Sequence, residues 1–222
     1  MIAILVPVLD RPRNADPLVL SIRRATSTPH RVLFLCSPKD GAEIRACKAT
    51  GADVHVVEWK PDRGDWAKKI NRGFSMTDED FVLLGADDLE FHRGWDMAVL
   101  EVAEKTGAGV IGTNDLGNAT VMRGLHSTHP LVRRSYIEEY GTIDEPGKVV
   151  HEGYHHQWVD TELCETAKMR GQWAFAKASH VEHLHPYWHK SSMDATYTKA
   201  LSTSREDHRY YGKRRRLWQG RR

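Results

Sequence analysis

The sequence has little cysteine and no long apolar run. Its three cysteines, Cys36, Cys47 and Cys164, lack C-x-x-C spacing, which argues against a zinc ribbon and against a disulfide framework. The apolar N-terminus, residues 1–6, lacks a basic flank and is interrupted by Pro7, so it predicts a strand and neither a signal peptide nor a membrane span. We therefore expect a cytoplasmic protein without a membrane span.

The sequence also lacks a strong charge of either sign. It contains 32 basic and 30 acidic residues, for a formal net charge of +2. The last ten residues, 213–222, hold six Lys and Arg and no acid, which leaves 26 basic against 30 acidic residues in the rest of the chain. Terminal charge runs are usually solvated. We therefore expect 213–222 to form a basic tail, and we do not expect nucleic acid as a partner.

Segments typical of strands and helices alternate through the first half of the chain. Apolar patterning and turn residues predict strands at 2–6, 31–36, 54–57, 81–84 and 109–112, and helices at 18–22, 42–50, 65–75 and 95–105. Alternation of this kind indicates an α/β domain with a mostly parallel sheet and helices on both faces.

The second half of the chain is less regular. It contains short strand candidates at 120–123 and 130–133, a short helix at 135–140, a loop at 141–156, a helix at 160–169, an extended region at 173–183 and a long helix at 193–210. A length of 222 residues suits one sizeable core. We predict one domain, 1–212, with a regular half at 1–115 and an irregular half at 116–212.

Two adjacent acids, Asp87 and Asp88, follow the fourth predicted strand. The carboxyl ends of strands in open α/β sheets are the usual place for ligands. Because neighbouring carboxylates repel each other, a cation or several donors must neutralise them. The pair therefore predicts a site for a metal-bound nucleotide. An exposed loop pair or a helix N-cap before residues 93–95 is the alternative interpretation.

Motifs along the chain resemble those of GT-A fold glycosyltransferases, in particular the inverting family 2. The similar stretches are 4–12 (strand, Pro, loop, Arg-Pro), 64–73 (the "Asn-x-Gly" helix), 86–88 (the metal motif), 140–145 (the "Gly-Gly-Phe-Asp-Glu" loop) and 159–163 (the "Glu-Asp-x-Asp-Leu" helix start). The resemblance spans 2–185. The His-Leu-His-Pro ending is similar to that of short, phage-encoded members, which implies the host cytoplasm as location.

The resemblance implies a Rossmann-like GT-A fold and a metal-dependent transfer of a sugar from a nucleoside-diphosphate sugar to an acceptor hydroxyl, with inversion. The implied cofactor is Mn²⁺ or Mg²⁺. Residues 1–115 would bind the nucleotide sugar, and residues 116–212 an acceptor glycan or protein. The donor-site residues implied by the motifs are Pro7, Asp10, Arg11, Asn71 and Asp87, and the implied metal ligand is Asp88.

The sequence departs from the family pattern at three places. Ala86 replaces the first acid of the metal motif, Cys36 and Ser37 stand where the family has "Asp-Asp-x-Ser", and Val159 replaces the Glu before the catalytic acid. Asp160 is then the candidate base at that position, because an inverting transfer requires a group that deprotonates the acceptor hydroxyl. The alternative for Asp160 is an ordinary helix N-cap.

Two late histidines, His183 and His185, have the two-residue spacing that places strand side chains on one face. Because many GT-A enzymes use a late histidine as a metal ligand, the resemblance implies this role for His183 first and His185 second. A zinc site is the competing interpretation, although alternate histidines without cysteine or an H-E-x-x-H frame are a weak zinc signal.

Two other function classes stay open at this point. A nucleotidyltransferase shares an acidic metal site, but it generally carries a glycine-rich phosphate loop after its first strand, and residues 9–13 contain no glycine. A non-enzymatic module would bind nucleic acid through the basic residues 213–222.

Overall fold

Eight strands form one sheet in the computed structural model, which describes residues 1–220. The strands are β1 (Ile2–Pro7), β2 (His30–Cys36), β3 (Asp53–Val56), β4 (Phe81–Leu84), β5 (Leu89–Phe91), β6 (Val110–Asn114), β7 (Leu131–Arg133) and β8 (Trp173–His183). Their order across the sheet is β3-β2-β1-β4-β7-β6-β8-β5. Only β7 and β5 run opposite to the other six strands, which confirms the predicted mostly parallel sheet.

Helices cover both faces of this sheet. They are α1 (Ala15–Ala25), α2 (Gly41–Ala49), α3 (Asp65–Ser75), α4 (Trp95–Thr106), α5 (Ala119–Met122), α6 (Arg134–Glu139), α7 (Val159–Met169), α8 (Ala195–Ser202), α9 (Ser204–Arg214) and α10 (Arg216–Gln219), with 3₁₀ turns at Pro12–Asn14 and Pro186–Trp188. Within residues 1–220, none of these helices combines the length and the apolar character needed to cross a membrane.

The alternation of side chains along β1 creates two separate cores. Ile2, Ile4 and Val6 pack into the cluster that contains α1 and α4. Ala3 and Leu5 point to the other face and pack into the cluster with α3, α6 and α7. Since successive strand residues point to opposite faces, an apolar run without polar interruption indicates a strand buried on both sides. The predicted helices on both faces are thereby confirmed.

Three elements of the structure differ from the predicted ones. The strand predicted at 120–123 is wrong: the segment is helix α5, because the Asn118 side chain accepts the Thr120 N–H at 2.9 Å and caps a helical turn. The long helix predicted at 193–210 divides at Thr203 into α8 and α9. The short strand β5 was not predicted, since three residues are too few to show periodicity.

The basic stretch 213–222 does not form a solvated tail over its described part. Helix α9 continues to Arg214, and the buried side chains Arg214 and Trp218 pack against the body of the protein. The Arg214 guanidinium donates to Asp144 Oδ1 and to Glu162 Oε1, both at 2.7 Å. Two carboxylates thus balance one buried cation and hold the last turn of α9. Residues 221 and 222 lie outside the described residues.

Candidate functional site

Asp87 and Asp88 lie at the carboxyl end of β4, near the centre of the sheet. Just before them, the Gly85 N–H donates to the Leu5 carbonyl oxygen of β1 at 2.8 Å. A Cβ at Gly85 would lie 2.6 Å from that oxygen, so the close approach of the two backbones requires glycine. This contact sets the turn that brings both carboxylates to the carboxyl ends of the strands, where α/β folds bind ligands.

Arg11 lies between the two aspartates. Its Nη1 is 3.2 Å from Asp87 Oδ1 and 3.1 Å from Asp88 Oδ2. On the other side of the guanidinium, Nη2 donates to Asp194 Oδ1 at 3.2 Å, and the Tyr197 ring centre lies 4.0 Å from Cζ. One arginine cation therefore faces three carboxylates, which leaves an excess of negative charge that favours a further cation.

One oxygen of each central aspartate is buried without a hydrogen-bond partner in the described chain, namely Asp87 Oδ2 and Asp88 Oδ1. Burial and the neighbouring Asp88 charge raise the pKa of Asp87 to about 7. Although burial alone raises the pKa of Asp88, the nearby His183, Tyr197 and Arg11 bring it below its usual range. Unpartnered buried oxygens are costly, and oxygen is the ligand that Mg²⁺ and similar hard cations prefer. The pair fits a divalent cation.

The structure brings His183, and not His185, to the acidic pair. His183 Nε2 lies 3.5 Å from Asp88 Oδ1. Burial alone lowers the pKa of His183, but the Asp88 carboxylate raises it above the ordinary value. The His185 ring packs 4.9 Å from the His183 ring, and its Nδ1 accepts the Tyr187 N–H at 3.2 Å. Of the two predicted ligands, His183 thus lies next to the acidic pair, whereas His185 contacts the His183 ring and the following turn.

Asp160 lies in the first turn of α7 and faces His126. Trp158, with φ of 70°, is the cap residue of this helix, so Asp160 does not occupy the N-cap position that was the alternative interpretation. Asp160 Oδ2 lies 3.1 Å from His126 Nε2, and Oδ1 accepts the Thr161 N–H at 2.8 Å. A left-handed backbone conformation is uncommon for a tryptophan. At Trp158 it turns the chain into the first turn of α7.

The charges of Asp160 and His126 stabilise each other. Burial alone lowers the pKa of His126, but the Asp160 carboxylate raises it to about 11. In turn, burial raises the pKa of Asp160, whereas the His126 cation brings it below its ordinary value. Across neutral pH, the pair is therefore an imidazolium beside a carboxylate.

In the structure, Asn71 contacts the loop at 149–152, whereas the family resemblance implies that it binds the donor. Its amide nitrogen donates to the Val150 carbonyl and to Glu152 Oε1, both at 2.9 Å. Its amide oxygen accepts the N–H groups of Val149 and Val150 at 2.9 Å and 3.2 Å. Because the loop occupies all these groups, Asn71 holds the 149–152 backbone and has none left for a donor molecule.

Pro7 and Asp10 flank the site without touching the acidic pair in the contacts described for residues 1–220. Pro7 is the buried last residue of β1. Asp10 is exposed with φ of 57°, and its N–H donates to Asp40 Oδ2 at 2.9 Å. They shape the turn that delivers Arg11, and their contact with a nucleotide sugar stays a prediction.

Several side chains of the site were not indicated by any motif. Tyr197 donates a short hydrogen bond to Asp88 Oδ2, and Asp194 caps α8 by accepting the Tyr197 N–H at 3.0 Å. His126 and Asp194 contact Asp160 and Arg11 across 34 and 183 residues of sequence, respectively. Aspartate is a favoured N-cap residue, but this preference says nothing about what the helix after Asp194 will cover.

A cavity of about 130 Å³ opens beside Asp87 and Asp88. It lies between the turn that carries Arg13 and the segment that carries Lys190 and Asp194. Ligand pockets are usually about 300–1,000 Å³. The cavity is smaller because the α8 segment contacts Arg11 and Asp88 directly.

The structure is an α/β fold with an acidic pair at the end of a central strand. No protein-family model matches the sequence, and no curated protein matches it. Solved structures do match, which confirms the resemblance to GT-A fold glycosyltransferases at the level of the fold.

Three solved structures illustrate this similarity. A mannosyltransferase from Pyrobaculum calidifontis, in complex with GDP-Man and Mn²⁺, has a TM-score of 0.71 and 13% identity over 96% of this chain and 64% of its own. A glucosyl-3-phosphoglycerate synthase from Mycobacterium tuberculosis, with Mn²⁺, UDP and phosphoglyceric acid, has a TM-score of 0.62 and 15% identity over 91% of this chain and 74% of its own. TarS from S. aureus has a TM-score of 0.60 and 13% identity over 81% of this chain and 36% of its own.

Proposed function

We propose that this protein is a metal-dependent glycosyltransferase that moves a sugar from a nucleoside-diphosphate sugar to an acceptor hydroxyl, with inversion. The observation that carries the proposal is the pair Asp87 and Asp88, each with a buried, unpartnered oxygen, at the strand end of a GT-A-type fold. The complexes of the similar structures with Mn²⁺ and GDP-Man or UDP support the same cofactor and donor class here.

The donor side of the site has four polar residues with distinct roles. Asp88 and His183 would hold Mn²⁺ or Mg²⁺, with Asp87 beside them toward the ribose. When bound, the metal supplies Lewis-acid stabilisation of the charge on the leaving diphosphate. Arg11 is already fixed by Asp87 and Asp88, and its guanidinium would add positive charge on the side of the leaving diphosphate.

The acceptor side depends on Asp160. Its carboxylate would accept the proton of the acceptor hydroxyl as that oxygen attacks the sugar. His126, at 3.1 Å, holds the carboxylate in place and keeps it ionised. Helix α7 contributes its N-terminal dipole, which also favours the charged form. The acceptor itself, a glycan or a protein, and the cytoplasmic location stay predictions.

A thermal-shift panel tests the proposed donor class. We expect a nucleoside diphosphate with Mn²⁺ to raise the melting temperature more than either component alone, because a ligand that binds the native state must stabilise it. Nucleoside monophosphates and EDTA-treated protein are the controls. If no nucleoside diphosphate raises the melting temperature with Mn²⁺ or Mg²⁺, the proposed function is wrong.

Replacement of His126 should change the pH dependence of transfer. In His126→Gln, loss of the adjacent cation lets the pKa of Asp160 rise. Asp160 would then be protonated at a higher pH, so the acidic limb of the kcat/KM profile moves upward and transfer at acidic pH falls. The matched control is His30→Gln, at the amino end of β2. Superimposable profiles for His126→Gln and the wild type would contradict the role.

A further inference from the structure

The C-terminal helices carry a row of basic side chains on one exposed face. Arg205, Arg209, Lys213 and Arg216 are all exposed and follow one another at intervals of four, four and three residues, which places them on one side of a helix. Arg215, between α9 and α10, keeps helical angles (φ −52°, ψ −29°). With a rise of about 1.5 Å per residue, the row extends over roughly 16 Å.

The opposite face of these helices is fixed against the body of the protein. Asp207, Tyr211, Arg214 and Trp218 are buried there. Peripheral membrane helices bury an apolar face in the lipid, but here the aromatic residues of that face are already in the core. The exposed row therefore offers charge to a partner and no apolar anchor.

A cavity of about 400 Å³ adjoins the basic row. Arg63, Arg209 and Lys213 line it together with Tyr210 and Glu206. The Arg63 Nε donates to the Gly153 carbonyl at 2.7 Å, which fixes the guanidinium. The Glu206 carboxylate lies 3.1 Å from His155 Nε2. Three cations, one carboxylate and a tyrosine thus line an open depression beside the basic row.

The basic row is connected to the half of the protein that carries Asp160. Asp207, on the buried face of α9, accepts the backbone N–H groups of His155, His156 and Gln157 at 2.7–2.9 Å. That loop leads directly into α7. The helix with the basic row is therefore held to the same loop that precedes the proposed base.

We propose that this surface, formed by Arg63, Arg205, Arg209, Lys213 and Arg216, binds nucleic acid through its phosphate backbone. Regularly spaced cations suit a polymer with regularly spaced charges, and binding to phosphates is largely electrostatic. The expectation of no nucleic-acid partner rested on a solvated tail, and the structure shows helix at 213–214 and 216–219 instead.

Fluorescence anisotropy with a labelled single strand of about 20 nucleotides, and with its duplex, tests the proposal. The triple variant Arg205→Gln, Arg209→Gln, Lys213→Gln should bind at least about tenfold more weakly than the wild type in about 50 mM salt. Its plot of log K against log salt should also be flatter, by about 0.9 for each duplex phosphate that the variant no longer neutralises. Because the assay contains no sugar, its outcome is independent of the proposed function.

The matched control is Arg24→Gln, Arg45→Gln, Lys48→Gln, which removes three exposed cations from α1 and α2 on the opposite face of the sheet. It should bind like the wild type. Unchanged melting temperatures verify both folds, and the single variants Arg209→Gln and Lys213→Gln serve if the triple variant is unstable. Two outcomes overturn the proposal: no binding of either oligonucleotide in about 50 mM salt, whether or not anionic phospholipid vesicles bind, or equal binding by both triple variants.

Discussion

Asp160→Asn is expected to lower kcat for sugar transfer by about 10²–10⁴-fold, the usual contribution of a general base. The amide keeps the size of the side chain and can still accept the Thr161 N–H, but it cannot take the proton of the acceptor hydroxyl. Donor affinity should stay unchanged, because the contacts described for Asp160 are with His126 and its own helix. The measurement is transfer, or slow donor hydrolysis, at saturating nucleotide sugar.

Glu165→Gln is the matched control for this experiment. It removes one negative charge from the same helix, at a half-exposed residue whose contact is with Lys168, and it should leave kcat unchanged. If Asp160→Asn turns over like the wild type, Asp160 is not the base, and the inverting mechanism built on it fails with it. A lower donor affinity without a change in kcat would assign Asp160 to binding instead.

Asp88→Asn is expected to abolish the metal-dependent part of nucleotide binding, a loss of at least about 100-fold, since a metal's electrostatic contribution amounts to several kcal/mol. An amide carries no charge, so the electrostatic attraction of Asp88 for a divalent cation is lost. The protein should stay folded, although the hydrogen bond from Tyr197 and the contact with Arg11 will weaken. Titration calorimetry with a nucleoside diphosphate, with and without Mn²⁺, measures the effect.

Asp78→Asn makes the same chemical change on an exposed residue before the amino end of β4, away from the site at its carboxyl end. This variant should bind nucleotide like the wild type. A circular dichroism spectrum and melting curve of Asp88→Asn establish that any weaker binding is not unfolding. Wild-type affinity of Asp88→Asn for every tested nucleotide in the presence of Mn²⁺ would remove Asp88 from the metal site.

The elements that the sequence predicts best are those with strong local patterns. Helix 65–75 and strand 81–84 have the predicted bounds in the structure, because apolar periodicity and turn residues act within a few positions of one another. Segment 120–123 was predicted incorrectly for an equally local reason. The Asn118 cap favours a helical turn over the strand preference of Thr120 and Val121.

The contacts of the two histidines required the folded chain. Their spacing of two residues indicates a shared face, and the family resemblance ranked His183 first and His185 second. In the structure, only His183 pairs with Asp88, whereas the His185 side chain accepts a backbone N–H from the following turn. The side chain that reaches the acid is decided by where β8 ends, and strand ends depend on the neighbouring strands.

The sequence by itself determined the alternating strands and helices, the position of the acidic pair at a strand end, and the candidate base at the start of a helix. Those features depend on local patterns of apolar and polar residues. Tertiary structure alone decided that Arg11 lies between the two acids, that His126 holds Asp160, and that the basic residue Arg214 and, beside it, Trp218 pack onto the body. The contacts of His126 and Arg11 join residues 34, 76 and 183 positions apart in the sequence. Such pairs leave no periodic signal, because their geometry arises only when the sheet order brings distant strand ends together.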